Sequence, residues 1–163
     1  MADGLVAFLQ ARYDEDDQAA RDAGGKSWEW EQHYGDMCND PTCEYGNLAT
    51  DDTILMSVHA YNITVPWQGA EHIARHNPAR VLAEVDAKRQ LLRDAVSAKH
   101  AVCEDPWYTC PAATEARDGG ECGKDDMRGE PCECGRDDRL HRACRLLALP
   151  YADHPDYREE WRP

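Results

Sequence analysis

The sequence predicts an α+β fold: an N-terminal helix, a small antiparallel sheet, a long central helix, a Cys-rich zinc-knuckle-like segment and a C-terminal helix. Three observations lead there. Apolar residues recur at helical spacing near the N-terminus and again from Pro78. Between these stretches, short runs alternate apolar with polar or gather β-branched residues, as strands do. Beyond them the hydrophobic period lapses, and five of the eight cysteines fall within residues 100–136.

The first helix is read over residues 4–22. Leu5, Val6, Phe8, Leu9 and Tyr13 supply its apolar face, Asp3 is placed to cap it, and Gly24-Gly25 stops it. Asp14 to Asp17 are consecutive, so they point in different directions and read as solvated charge. Ser27-Trp28-Glu29-Trp30-Glu31 alternates, which puts Trp28 and Trp30 on one face of a short strand. Residues 38–47 read as a loop. Thr53 to Val58 is the best strand in the chain, and Tyr61 to Val65 forms another, ended by Pro66. Ala70 to His76 is a short helix. Asn77 then caps a long one running from Pro78 to about Lys99, with Val81, Leu82, Val85, Leu92 and Val96 as its stripe. A last helix follows Asp137 or Asp138 as cap, with Leu140, Ala143, Cys144 and Leu147 inward and Pro150 at its end. The tail packs back through Tyr151, Tyr157 and Trp161. No internal repeat stands out. These elements divide the chain into an α+β domain, residues 1–99, and a zinc-binding module with helix and tail, residues 100–163.

Composition narrows the function classes. The net charge is −14, and an acidic surface of that size repels nucleic-acid phosphates. Direct nucleic-acid binding is therefore not expected, although Arg136, Arg139, Arg142 and Arg145 cluster around the last helix. The N-terminal residues lack a basic n-region and a cleavage site, and no run approaches the length of a membrane span. The expectation is a cytoplasmic protein with no membrane association, whose thiols stay reduced and serve as metal ligands before they serve as disulfides.

Zinc takes four Cys or His ligands in a tetrahedron, and a structural site draws all four from protein. The ligand set read from the sequence is Cys103, Cys110, Cys132 and Cys134, with Cys144 and His100 as substitutes. Cys132-Glu133-Cys134-Gly135 forms a tight loop with Gly after a ligand, Cys103 and Cys110 supply the other half, and Cys144 arrives on the following helix. His33, Cys38 and Cys43 are spaced for a second site or a Cys38–Cys43 disulfide. His72 and His76 lie one helical turn apart, but Ile73 stands where a metalloprotease needs its glutamate. P-loop, nucleophile-elbow and zinc-deaminase patterns are not met.

Three stretches carry a resemblance. Leu5-Val6-Ala7-Phe8-Leu9 with Asp14-Glu15-Asp16 resembles the opening of an uncharacterised actinobacterial family also found in actinophages. Ala70-Glu71-His72-Ile73-Ala74-Arg75-His76-Asn77-Pro78-Ala79-Arg80-Val81-Leu82 resembles its central motif. The run from Leu146 to Trp161, LLALPYADHPDYREEW, resembles its C-terminal signature. That resemblance implies a domain of unknown function, with a zinc knuckle between the central helix and the C-terminal motif. His100 and Cys144 match the knuckle's outer positions and Cys132 and Cys134 its inner pair; Cys103, Cys110 and Cys122 are extra. The Trp-containing strand followed by Ala70-x-x-Ile73-Ala74-x-x-Asn77-Pro78-Ala79-x-Val81-Leu82 is also similar to small phage accessory proteins of the Ead/Ea22 type. The functional expectation is a zinc-stabilised accessory or regulatory protein that binds a protein partner. The alternatives are a DNA mimic inhibiting a host DNA-binding or transcription protein, or a metal-dependent hydrolase.

Overall fold

In the computed structural model the described residues are 2–34, 44–51, 53–59, 67–114, 120–124 and 132–163. They form an α+β fold of four helices and one three-stranded antiparallel sheet, with a Cys-rich segment of short turns ahead of the last helix. The helices are α1 (Ala2–Asp22), α2 (Trp67–Arg75), α3 (Pro78–Ser97) and α4 (Arg136–Ala148). The strands are β1 (Glu29–Tyr34), β2 (Glu44–Thr50) and β3 (Thr53–His59). The chain divides into two compact units. One contains residues 14–86; the other contains residues 1–13 and 87–163.

In the unit of residues 14–86, α1 ends where its glycines dictate. Gly25 N–H donates to Ala20 O at 3.0 Å and Gly24 N–H to Arg21 O at 2.9 Å, the paired closure of a Schellman motif. Both glycines have positive φ, which a side chain would resist. The acidic run leaves Asp14 and Glu15 exposed, and Asp17 meets Arg21 one turn on at 3.1 Å. The strands run in the order β1-β2-β3, with Trp30 opposite Leu48 and Leu48 opposite Met56.

Strand β2 differs from the sequence reading, which kept residues 38–47 as loop. Gly46 and Asn47 have poor strand propensity, but a central strand is stabilised by ladders on both sides. The Asn47 side chain also accepts a 2.7 Å hydrogen bond from Ser57 Oγ across the sheet. The expected strand Tyr61 to Val65 lies outside the described residues, as do Cys38 and Cys43 of the second metal reading. His33, the third member of that set, stacks on Tyr45 with ring centroids 5.0 Å apart.

Helix α3 begins as its sequence requires. Asn77 Oδ1 accepts from the Arg80 N–H at 3.0 Å, satisfying an otherwise orphaned donor of the first turn, and Pro78 sits at the first helical position. Val85 and Leu92 are buried, whereas Val96, read as part of the stripe, is exposed. His72 and His76 are both exposed. Their rings lie 4.2 Å apart, and His76 Nδ1 is 3.0 Å from the His72 carbonyl oxygen, closing the end of α2.

In the unit formed by residues 1–13 and 87–163, the first half of α1 buries Leu5, Phe8, Leu9, Arg12 and Tyr13, the i, i+3, i+4, i+7, i+8 set of one helix face. Phe8, the single phenylalanine, is ringed by the C-terminal tail. Its centroid is 5.0 Å from Trp161, 5.8 Å from His154, 6.1 Å from Tyr157 and 6.4 Å from Tyr151. The Arg12 guanidinium lies over the same ring at 5.2 Å and donates to His154 Nδ1 at 2.7 Å. The tail thus packs through the three aromatic residues that the sequence offered. Helix α4 buries Leu140, Cys144 and Ala148, four residues apart. It starts at Arg136 behind Gly135, so Asp137 and Asp138 stand in its first turn rather than at the cap. There their charge favours the positive end of the helix dipole. Among the described residues, no helix is long and apolar enough to cross a membrane.

Two substitutions test these contacts. Phe8→Ala removes the ring on which four others close and should lower stability by about 3–5 kcal/mol, read from urea denaturation. Asn77→Ala should cost about 1 kcal/mol in the same assay while leaving the helical content unchanged by circular dichroism.

Candidate metal centre

The segment between α3 and α4 is held by local polar contacts. The Cys110 N–H donates to Ala101 O at 2.9 Å, and the Cys103 N–H to Thr109 Oγ1 at 3.0 Å. Asp105 caps a single helical turn, Pro106–Tyr108, by accepting from the Trp107 N–H at 2.9 Å. These bonds fold residues 101–110 into a closed loop that returns Cys110 beside His100. A second turn at Pro111–Ala113 follows directly.

His100, Cys110, Cys122 and Cys134 meet at this point. Each offers one donor atom, and the four atoms all lie within 4.8 Å of one another. The four side chains are therefore close enough to hold a metal ion. Cys110 Sγ is 3.7 Å and Cys134 Sγ 3.8 Å from His100 Nδ1. In a tetrahedral zinc site, bond lengths of about 2.3 Å to sulfur and 2.0–2.1 Å to nitrogen put neighbouring ligand atoms roughly 3.5–3.8 Å apart. The donor set fits such an ion in chemistry, and the two separations from His100 match its spacing. Among the described residues no other group of three or more His, Cys, Asp or Glu side chains converges in this way.

The surroundings suit thiolates. The Ala101 N–H donates to Cys134 Sγ at 3.2 Å, and the Cys134 N–H to Cys132 Sγ at 3.4 Å. Burial works to raise the Cys134 thiol, but the N–H groups of Ala101 and Arg136, together with His100 and Cys122, outweigh it and hold the thiol down at about 6. Cys110 behaves in the opposite way. Burial is the largest influence on it and, against the Ala112 N–H, pushes it up to about 12, with Cys132 and Cys122 adding to the rise. A bound cation would reverse that penalty, since a coordinating thiol is deprotonated outright.

Outside the four donors, His100 Nε2 faces Asp137 Oδ1 at 3.8 Å, and Asp137 is held by Arg136 at 2.8 Å. A carboxylate on the far nitrogen of a ligating imidazole fixes ring orientation and tautomer. Arg136 also donates to Val96 O at 2.6 Å and Ala98 O at 2.9 Å, so one guanidinium satisfies carbonyls at the end of α3 from the start of α4.

The sequence-derived ligands thus occupy different surroundings. His100, Cys110 and Cys134 converge. Cys132 stands next to them, accepting the Cys134 N–H. Cys103 is exposed on the loop that Thr109 closes. Cys144 is buried on α4, where burial raises its thiol. The fourth member of the convergent group is Cys122, which the sequence reading left among the extra cysteines. A signal for it exists. Glu121-Cys122-Gly123-Lys124-Asp125-Asp126 is repeated as Glu133-Cys134-Gly135-Arg136-Asp137-Asp138. Both glycines after the cysteine have positive φ, 86° at Gly123 and 58° at Gly135. The repeated hexapeptide therefore encodes the same left-handed turn twice, each time just after a converging thiol.

Comparison with known proteins adds a family and no activity. A model for a family of unknown function (DUF6221) matches residues 2–163. No curated protein matches the chain, and no solved structure does.

Thiol labelling tests the electrostatics. In freshly purified, reduced protein at neutral pH, iodoacetamide should modify the exposed Cys103 well before the buried Cys144, whose thiol is raised by burial, because only thiolates react. Peptide mass mapping over a time course reads the order.

Proposed function

Given that this chain belongs to the family of unknown function DUF6221, whose description carries no activity, we propose that it is a small zinc-stabilised accessory or regulatory protein that acts in the cytoplasm by binding a protein partner. The observation that carries this reading is the set of four protein donors, His100, Cys110, Cys122 and Cys134, within 4.8 Å of one another. A site that draws all four ligands from the chain has no position left for a water or substrate, which is the pattern of structural rather than catalytic zinc. Three soft thiolates with one imidazole favour zinc over magnesium or calcium, which take oxygen ligands.

The ion has a task suited to it. The described residues between α3 and α4 contribute few large aliphatic side chains, and the buried ones are Thr109, Cys110 and Pro111. A structural zinc supplies apparent binding energy of about 10–16 kcal/mol in small modules, enough to replace an absent apolar core. Isolated structural zinc modules mostly serve recognition, and the resemblance to phage accessory proteins supports a mobile-element setting for that recognition. The acidic charge of −14 keeps the partner class on the protein side rather than on nucleic acid.

Elemental analysis combined with native mass spectrometry tests the metal. Freshly purified, reduced protein should carry one zinc per chain. Cys122→Ser and His100→Ala should lose it, Cys103→Ser should keep it, and chelation should melt the α3–α4 segment in NMR spectra. Metal-free protein whose α3–α4 segment stays ordered under reducing conditions would refute the proposal. For the partner, cross-linking in host lysate should yield one discrete protein adduct that disappears when the chelated protein is used.

A further inference from the structure

Cys132 stands against the donor group without belonging to it. The four atoms that converge are those of His100, Cys110, Cys122 and Cys134. Four ligands fill a tetrahedral zinc site, so an ion held there leaves Cys132 as an uncoordinated thiol. The Cys134 N–H donates to the Cys132 sulfur at 3.4 Å, and Cys132 is a hydrogen-bond partner of the Cys110 thiol. A spare thiol therefore touches a ligand thiol.

Exposure separates the two sulfurs. Cys132 is half-buried and meets solvent, whereas Cys110 is 1% exposed. An accessible cysteine beside a second one that can resolve it is the arrangement of a redox-sensing site. Cys103 and Cys144 lie outside the convergent group, one on the exposed loop and one buried on α4. Cys134 is separated from Cys132 by a single residue, and a disulfide closed across so short a span strains its geometry. Cys110, which arrives from another loop, carries no such constraint.

We propose that Cys132 is a site of peroxide oxidation that expels the metal by forming a disulfide with Cys110. The Cys132 sulfur attacks one oxygen of hydrogen peroxide. The O–O bond breaks, the other oxygen leaves as water with the thiol proton, and Cys132 becomes a sulfenic acid. The Cys110 thiolate then attacks the sulfenic sulfur. The S–O bond breaks and its hydroxide leaves as water, taking one proton from solvent. The two sulfurs together lose the two electrons that peroxide gains. Because the thiolate is the metal ligand, the disulfide leaves the ion only His100, Cys122 and Cys134, and it dissociates. A thiol reductant reverses the step by exchange. The release of the ion rests on the zinc reading above; the disulfide needs only the two thiols.

The test exposes full-length, zinc-loaded protein to hydrogen peroxide in the absence of reductant. A chromogenic chelator follows released zinc, and non-reducing peptide mapping identifies the disulfide. Wild-type protein should release its zinc as a Cys110–Cys132 disulfide appears, and dithiothreitol with added zinc should restore the site. Cys132→Ser and Cys132→Ala should hold zinc before oxidation and lose both the disulfide and the rapid release. Cys103→Ser, which removes a more exposed thiol, should release zinc as the wild type does. Release unchanged in both Cys132 variants, equal protection by Cys103→Ser, or a map pairing Cys132 with any cysteine other than Cys110 would each overturn the proposal. So would loss of zinc from both Cys132 variants before oxidation, since Cys132 would then be a ligand. A wild type that carries no zinc would refute the metal reading instead, and the peptide map would still decide for or against the disulfide.

Discussion

The convergence of three thiols and one imidazole is the constraint on which the C-terminal half of the chain depends. His100 follows the end of α3, Cys110 closes a ten-residue loop, and Cys122 and Cys134 each precede a left-handed glycine. Their donor atoms lie within 4.8 Å of one another. That convergence determines where α4 can start, because Cys134 and Gly135 lead directly into it. Arg136, the first residue of α4, then reaches the α3 carbonyls and Asp137 together. One local arrangement of side chains thus connects the end of one helix to the start of the next without an apolar core between them.

The two thiols nearest His100 differ in their tendency to ionise. Cys110 is buried where a thiolate is penalised, while Cys134 accepts N–H donors that favour its thiolate. Two thiols of opposite tendency lie within a few ångströms of one imidazole. A divalent cation held by the four donors would accept both sulfurs as thiolates. The carboxylate of Asp137 lies on the outer side of His100, 3.8 Å from the imidazole nitrogen that does not face the thiols.

The rest of that unit is organised by aromatic packing. Phe8 receives Trp161, Tyr157, Tyr151 and His154 from a tail that holds only short turns beyond α4. Such a tail has few backbone ladders to hold it, so ring contacts and the Arg12 bond to His154 supply its order. Large, rigid rings suit this role because each buries much surface for little conformational entropy. The two devices divide the work: rings order the tail against α1, and clustered donors order the segment ahead of α4.

Although α1 starts at Ala2, ahead of the expected Asp3 cap, and α4 starts behind Gly135 rather than at Asp137 or Asp138, the sequence by itself determined the helices, the stop of α1, the start of α3 and the chemistry of the Cys-rich segment. Each of these is local. The 3.6-residue period of α1, the Gly24-Gly25 stop, the Asn77-Pro78 start and the inward Leu140 and Cys144 of α4 are set by residues within one or two turns of each other, and the structure reproduces them. Tertiary structure decided what depends on distant partners. Strand β2 exists because β1 and β3 pair with both its edges, although Gly46 and Asn47 argue for a loop when read alone. The convergence of Cys122 with His100, Cys110 and Cys134 was likewise a matter of where the chain returns. Spacing along a sequence limits which thiols can form a local half-site, but loop closure chooses which halves meet, and hydrogen bonds such as Cys110 N–H to Ala101 O make that choice.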